Sequence, residues 1–361
     1  HTHRSVDDLL KKLEMTRLLC QQVGGCIQRC MANDTLNAMG VVSKEIDDAK
    51  GTDYHKRFLN FLEYYQKKDL VGNAAQTDVK GDRSKRPHEQ ADPDLYLRVV
   101  ERKKDGIVVR GAKAHNSIGP YADELLVVPT RTFTKEEGDW AVSFAIPADT
   151  PGVKLVCRAT SPRPRVKYQA PFCTYGLAAS LTIFDDVFVP YERVFMCGEW
   201  EFAGRLALLF ANYHRHTYCG CKPAVTDIIM GATALVADFN GVGNAPHIRD
   251  EVTQLMIIAE LVYASGIAAS VKGKATASGI YEPAFLYSNT GRYLAGKNIY
   301  HEYDILSATA GGLPATLPLE EDWVNPETAS LLEKYIMRRP GVSAENQHRL
   351  FRFISDFSCS A

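Results

Sequence analysis

The spacing of apolar positions changes twice along the chain. Up to about Asp69 it has the period of a helix. Ser5 is placed to cap a first helix, with Asp8 in its first turn where a carboxylate meets the positive end of the helix dipole. Leu9, Leu10, Leu13, Leu18 and Leu19 supply its apolar positions. Gly24-Gly25 interrupts just before Cys26, where glycine signals close packing or the approach of a ligand. A further helix is expected around Tyr54 to Gln66, with Phe58, Phe61, Leu62 and Tyr65 at helical spacing. From Val71 to Val189 short β-branched runs alternate with Gly and Pro. Leu95 to Glu101 and Gly106 to Gly111 flank an Asp105-Gly106 step that predicts a hairpin. Leu125 to Thr130, Trp140 to Ile146, Val153 to Cys157 and Leu181 to Val189 read as further strands.

From about Glu199 the helical period returns. Helices are expected near Phe202–His214, Lys222–Phe239, Ile248–Lys274, Glu282–Asp304, Glu327–Arg338 and Ala344–Phe357. Pro223 lacks a backbone donor and crowds the carbonyl of Cys219, so a distorted helix is expected beside Cys221. The fold class is therefore α+β. N-terminal helices (1–70) are followed by a middle β domain (71–198) and a C-terminal helical bundle (199–361).

Composition adds mostly exclusions. The 361 residues are 45% hydrophobic and 24% charged, ordinary for a globular chain with a large core. A net charge of −1 gives no pull towards nucleic acid or an anionic membrane, and no apolar run reads as a membrane span. No secretory leader opens the chain, which begins as though mid-protein and ends as though mid-helix. Nine cysteines, an odd number without a secretory cue, argue for a reducing, cytoplasmic setting.

The chemistry concentrates in two stretches, Cys26-Ile27-Gln28-Arg29-Cys30 and His214-Arg215-His216-Thr217-Tyr218-Cys219-Gly220-Cys221. On a helix, Cys26 and Cys30 project from one face, as do His214, Tyr218 and Cys221. Two thiolates from one helix with an imidazole and a thiolate from another make four soft ligands, suited to zinc or an iron–sulfur cluster. The alternative is that these cysteines are simply core residues.

The layout of helices, β domain and bundle is that of acyl-CoA dehydrogenase-like flavoproteins. Thr77-Asp78-Val79-Lys80-Gly81-Asp82-Arg83-Ser84 resembles the flavin-contacting loop of the 4-hydroxyphenylacetate 3-monooxygenase family. Gly111-Ala112-Lys113-Ala114-His115 with Glu124 to Thr130, and Ile183 to Pro190, resemble further segments of it. Within that family, Cys-x3-Cys together with His-x6-Cys-Lys resembles the 4-hydroxybutyryl-CoA dehydratases along nearly the whole chain.

That resemblance implies a homotetramer binding FAD and a 4Fe–4S cluster, with Cys26, Cys30, His214 and Cys221 as ligands and an acyl-CoA as substrate. It implies loss of the α proton acidified by the thioester, one-electron exchange with the flavin, loss of the β proton, and departure of hydroxide aided by cluster iron. His214 would be ligand and base. Tyr218 would orient or protonate the leaving oxygen, and Lys222 would stabilise charge near the flavin or thioester. Thr77, Asp78, Lys80, Asp82, Arg83, Ser84, His115 and Ser117 fall in the flavin segments, and Gln28 is a candidate flavin or substrate contact. Gly311-Gly312 resembles the glycine pair that approaches a neighbouring subunit's FAD. Plainer readings stand beside these: Tyr218 a core aromatic, Lys222 a solvated charge, Asp82–Arg83 a loop ion pair, His115 a structural hydrogen bond, Gly311-Gly312 a helix end. His216 reads as structural.

The chain also departs from the dehydratase pattern. Ser117 stands where a threonine is expected, keeping a hydroxyl. Ala179 replaces a glutamate, and a methyl group does no acid–base work. Cys219 replaces a glycine, which would set another thiol beside the iron. Ser161 to Tyr175, with Arg163, Arg165 and Lys167, is unlike the dehydratases and is a candidate for a different substrate or for CoA phosphates. These departures leave open vinylacetyl-CoA isomerisation, a flavin monooxygenase of phenols with structural cysteines, and a catalytically dead subunit.

Overall fold

The computed structural model describes residues 2–158, 168 and 178–359, so Arg163, Arg165 and Lys167 lie outside the described residues. Helix α1 (Val6–Val23) starts where the Ser5 hydroxyl accepts from the Asp8 amide and stops at Gly24, whose φ of 78° turns the chain left-handed. Its inward stripe is Leu9, Lys12, Leu13, Thr16 and Cys20, whereas Leu18 and Leu19 face solvent, contrary to the leucine pattern. Two polar residues sit in that stripe because they face other helices, not because α1 is exposed there. Helix α2 (Cys30–Lys50) follows, and α3 (Tyr54–Lys67) is capped by the Asp47 carboxylate, which accepts from the amides of Tyr54 and His55 at 2.9 Å each. The Cys26–Cys30 segment is not helical. Gln28 has φ 57°, and α2 begins only at Cys30.

Among the described residues, eight strands then form two four-stranded sheets. They are β1 (Gly72–Ala75), β2 (Arg98–Arg102), β3 (Gly106–Ser117), β4 (Glu124–Val127), β5 (Val142–Pro147), β6 (Val153–Arg158), β7 (Ala179–Pro190) and β8 (Val194–Cys197). The expected hairpin is β2–β3. One sheet has the order β1-β4-β5-β8, with β1 parallel to β4. The other, β2-β3-β7-β6, is antiparallel throughout. The short strands β1 and β8 were not anticipated from the apolar pattern. Inner faces of the sheets meet α2, α3 and the start of the next helix in one core, where Phe144 stands edge-on to Phe184 and Phe58 to Phe195.

Helix α4 (Trp200–Phe239) runs 40 residues without a break, straight through Pro223. The two separate helices expected there are one helix. A proline inside a helix costs about 3 kcal/mol, and here α4 packs against α1, α2, α5 and α6, whose burial of its sides outweighs that cost. Helix α5 (Pro246–Val271), the small hairpin β9 (Lys274–Ala275) with β10 (Tyr281–Glu282), and α6 (Phe285–Ala310) complete the helical layer. The short α7 (Leu313–Thr316), α8 (Ala329–Ile336) and α9 (Ala344–Cys359) gather around a second core that includes Phe351 and Ile354.

By length and composition α4 and α5 are both apolar enough to cross a membrane, which the sequence reading did not see. In α4 most of that surface is buried inside the fold. In α5 only a third is, and Met256, Ile257 and Leu261 are exposed beside Leu286, Tyr293 and Tyr300 of α6.

Candidate functional site

The site grows from the junction of α1, α2 and α4. The tight turn at Gln28 folds the Cys26 thiol back over the start of α2, where the Gln28 amide donates to Cys26 Sγ at 3.4 Å. Cys30 occupies the first position of α2, the positive end of its dipole. Opposite them, α4 presents His214, Tyr218 and Cys221 along one face. Cys30 Sγ, an Asp34 oxygen and a His214 nitrogen all lie within 4.8 Å of one another. Cys26 is within hydrogen-bonding reach of both Cys221 and Cys30. Sharing those two protons pulls the Cys26 thiol well below its ordinary range, while Cys30 and Cys221, as donors, are pushed up. Of the expected four, Cys30 and His214 share one group with Asp34, and Cys26 with Cys221 adjoins it at Cys30; three thiols with one imidazole suit a soft metal.

Asp34 is the hub that sequence reasoning missed. It is wholly buried and accepts from Lys12 Nζ at 2.6 Å, Thr217 Oγ1 at 2.8 Å and His214 Nδ1 at 3.1 Å. Burial alone would raise its pKa. The Lys12 ammonium and His214 outweigh it and hold the carboxyl well below the usual range. An ionised acceptor at Nδ1 fixes the proton there and leaves the Nε2 lone pair of His214 as the free donor. Phe210 stacks on the ring at an interplanar angle of 4° and sets its tilt. The available signal was Lys12 and Thr16 in an otherwise apolar stripe, with Asp34 one turn after Cys30.

Lys222 is not a solvated charge. It is 3% exposed and donates to Glu302 Oε2 at 2.8 Å, as does Thr226 Oγ1 at 2.7 Å, while Glu302 Oε1 has no partner. Tyr218 is half-buried under the Arg292 guanidinium, 4.9 Å from its ring centre. Burial pushes its pKa up against the pull of Arg292, so the phenol keeps its proton. Cys219 is a correction as well. It points away from the thiol group into the α1–α5–α6 packing with Leu13, Val262 and Ala295, its pKa pushed up to about 12 by burial. His216 is buried against Ser270 Oγ at 2.8 Å.

The expected flavin residues divide. Asp78 is buried and paired to Lys113 at 2.8 Å, which also donates to the Gln76 and Val128 carbonyls. It is a strut beneath the loop rather than its surface. The Thr77 carbonyl accepts from the Ala114 amide at 2.7 Å. Asp82 accepts from the Ser84 amide and hydroxyl, so the expected pair with Arg83 is absent among the described residues. Lys80 and Arg83 likewise have no carboxylate partner there. His115, with φ 59°, sits at a bulge in β3 and is exposed. Ser117 lies directly opposite Ala179 in the β3–β7 register, so two departures from the dehydratase pattern are neighbours. Gly311 closes α6 with φ 71°, and a Cβ at Gly311 or Gly312 would meet nothing within 4 Å. This pair is a helix end facing open space.

The family model described as 4-hydroxyphenylacetate 3-hydroxylase N terminal matches residues 1–196, and its C-terminal counterpart matches 203–361. The 4-hydroxybutyryl-CoA dehydratase/vinylacetyl-CoA-Delta-isomerase of Clostridium aminobutyricum is 38% identical over 372 residues, 99% of this chain and 76% of that protein. The structure of an oxygen-tolerant archaeal 4-hydroxybutyryl-CoA dehydratase from N. maritimus matches with TM-score 0.97 and 38% identity, over 100% of this chain and 73% of that one. The oxygenase component of 4-hydroxyphenylacetate 3-monooxygenase, complexed with FAD, matches with TM-score 0.90 and 26% identity, over 100% and 75%. Glutaryl-coenzyme A dehydrogenase, at 13% identity and TM-score 0.57 over 98% and 75%, shares the fold alone.

Proposed function

Since the chain belongs to the 4-hydroxyphenylacetate 3-hydroxylase family, we propose that it is a hydro-lyase of the dehydratase branch, acting on a hydroxyacyl-CoA and bearing vinylacetyl-CoA isomerase activity. The observation that carries this reading is the joint placement of Cys26, Cys30 and Cys221 around an Asp34-oriented His214. An oxygenase of phenols has no need of three thiols facing one imidazole.

Cys26, Cys30, Cys221 and His214 Nε2 would hold a 4Fe–4S cluster. FAD would lie against Thr77, Lys80, Arg83, Ser84, His115 and Ser117, with Lys80 and Arg83 offering unpaired cations to its pyrophosphate. Bound there, the pair would supply one-electron exchange and Lewis-acid help to a departing hydroxyl. The chain's own groups do the proton work. His214 Nε2, its tautomer fixed by Asp34, would be the base for the proton of the substrate carbon when its lone pair is not engaged by the cluster. The Tyr218 hydroxyl, kept protonated by burial, donates to the leaving oxygen. Lys222 acts from a neutral pair with Glu302, so it offers hydrogen bonds to the thioester region without adding net charge. Ser117 contributes a hydroxyl beside Ala179. The missing carboxylate at 179 favours a substrate other than 4-hydroxybutyryl-CoA, or isomerisation, which needs no loss of water.

The exposed apolar surface of α5 and α6 supports a homotetramer, and seven described cysteines without a disulfide support a reducing cytoplasm. The test is iron, acid-labile sulfide and flavin per chain in protein purified without oxygen, followed by an acyl-CoA screen. About four irons and one FAD are expected. Flavin without iron, turning over with dioxygen, overturns the reading in favour of an oxygenase.

A further inference from the structure

The segment from Gln76 to Leu97 joins β1 to β2 with no strand of its own among the described residues, and single side chains hold it in shape. Asp78 ties its two ends together. It accepts from the Leu97 amide at 3.0 Å and from Lys113 Nζ at 2.8 Å. The tip, Gly81 to Lys85, is exposed and carries Arg83 and Ser84. It closes around one inward side chain, Gln90, which is 8% exposed. Gln90 Nε2 donates to the Asp82 carbonyl at 2.7 Å and to the Lys85 carbonyl at 3.2 Å, and its Oε1 accepts from the Asp82 amide at 3.1 Å. One carboxamide thus satisfies three backbone groups that a helix or strand would otherwise pair. The fit is close. Gly81 has a φ of 53°, and a Cβ there would come within 2.6 Å of Gln90 Oε1. Behind the tip the buried Glu137 steadies the next residues, accepting from Arg86 Nε at 3.0 Å and lying 2.9 Å from His88 Nδ1.

We propose that Gln90 is a positioning residue of the flavin site: its carboxamide holds the Gly81–Lys85 turn so that Arg83 and Ser84 stand ready for the cofactor before it binds. This rests on the reading of the loop as a flavin contact and deepens it. The two carbonyls need a donor and the Asp82 amide needs an acceptor, and a primary amide of this length supplies both. Glutamate would turn a carboxylate towards two carbonyls. Methionine would fill the space and make no bond. A turn released from Gln90 has to be ordered when the cofactor binds, and that ordering weakens binding.

The experiment measures FAD binding, by the change in flavin fluorescence, to flavin-free wild type, Gln90→Met, Arg83→Gln and the double variant. Thermal melting checks that each is folded. Gln90→Met is expected to weaken FAD binding about tenfold or more, at a temperature where it is fully folded. Arg83→Gln is expected to weaken it about fivefold through the lost charge. Because Gln90 acts through the placement of Arg83, the double variant is expected to stay within about twofold of Gln90→Met. Losses that multiply in the double variant, or wild-type affinity in Gln90→Met, overturn the proposal. Trypsin supplies a readout that needs no flavin. Cleavage after Arg83 and Lys85 in the flavin-free chain is expected to run about fivefold faster in Gln90→Met than in wild type. Equal rates overturn the hold of Gln90 on the turn, whatever FAD does. A wild type that binds no FAD, with faster cleavage in the variant, overturns the flavin reading and the role given to Gln90 in it, and leaves Gln90 a purely structural clamp.

Discussion

Helix α4 carries two histidines two residues apart and two cysteines two residues apart, and each pair splits between opposite faces. His214 and Cys221 look towards α1 and α2, beside Asp34, Cys26 and Cys30. His216 and Cys219 look into the packing with α5, where His216 meets Ser270 and Cys219 lies against Val262. The residue types are the same on the two faces and their partners differ. On the first face each group has a polar partner that sets its proton. On the second, burial pushes Cys219 up to about 12 and His216, which meets only the neutral Ser270 hydroxyl, well below the usual histidine range, so both stay neutral. Reactivity here is decided by which helix a residue faces.

The sharpest way to break that contrast is to remove one thiol from each face. Cys221→Ser is expected to lower iron retention after anaerobic reconstitution by tenfold or more, while Cys219→Ala leaves it within twofold. Equal loss from both, by iron assay and visible spectrum, would erase the distinction between the faces.

Next in size is Lys222, the residue after Cys221. Lys222→Met leaves Glu302 buried with an uncompensated charge, at a cost of about 3–5 kcal/mol. Chemical denaturation should show that loss, and the double variant with Glu302→Gln should recover most of it. Recovery separates the buried pair's structural role from any direct part of Lys222 in the chemistry.

The same helix shows what the amino-acid order conveys and what it hides. His214, Tyr218 and Cys221 at i, i+4 and i+7 were legible as one face, because helical period is a local property. Cys26 and Cys30 were legible as partners for the wrong reason. They meet through the left-handed Gln28 and the start of α2, not through a helical face. Cys219 was misread as a neighbour of the metal because its direction depends on two glycines of other helices. Glu302 was invisible and Asp34 was signalled only by the polar Lys12 and Thr16 in the α1 stripe, since a buried carboxylate has meaning only once Lys222 or Lys12 stands beside it. The strands β1 and β8 were missed because a four-residue strand at the edge of a sheet gives too short a pattern. Pro223 was overweighted, since its local penalty is offset by packing on four sides of α4.

The second face can be tested through those glycines. A Cβ on Gly291 of α6 would run into Cys219 Sγ and come within 3.0 Å of the Ser265 side chain. Gly291→Ala is therefore expected to destabilise the fold by about 1–3 kcal/mol through overpacking. Adding Cys219→Gly should recover a large part, because it removes the atom that is struck. No change in stability in the single variant would mean that α6 moves freely against α4, and that Cys219 is not held away from the metal by packing.

The smallest effect concerns neutral histidines away from the site. His348 in α9 is buried with both ring nitrogens unpartnered, its ring 4.4 Å from that of Trp323, beside a cavity of about 790 Å³. Burial and, after it, the Arg352 charge lower its pKa to about 4, opposed by Glu345. The unfolded chain, with a histidine near 6.5, then binds more protons than the folded one between pH 6.5 and about 4. Stability is therefore full above that window and is lost as pH falls through it. Between pH 7 and 6 the loss is a few tenths of a kcal/mol, and it steepens below. His348→Phe keeps the ring stack and cannot take up a proton, so its urea midpoint should fall less between pH 7 and 5 than that of wild type. An unaltered pH slope in His348→Phe would show that His348 finds a partner in solution.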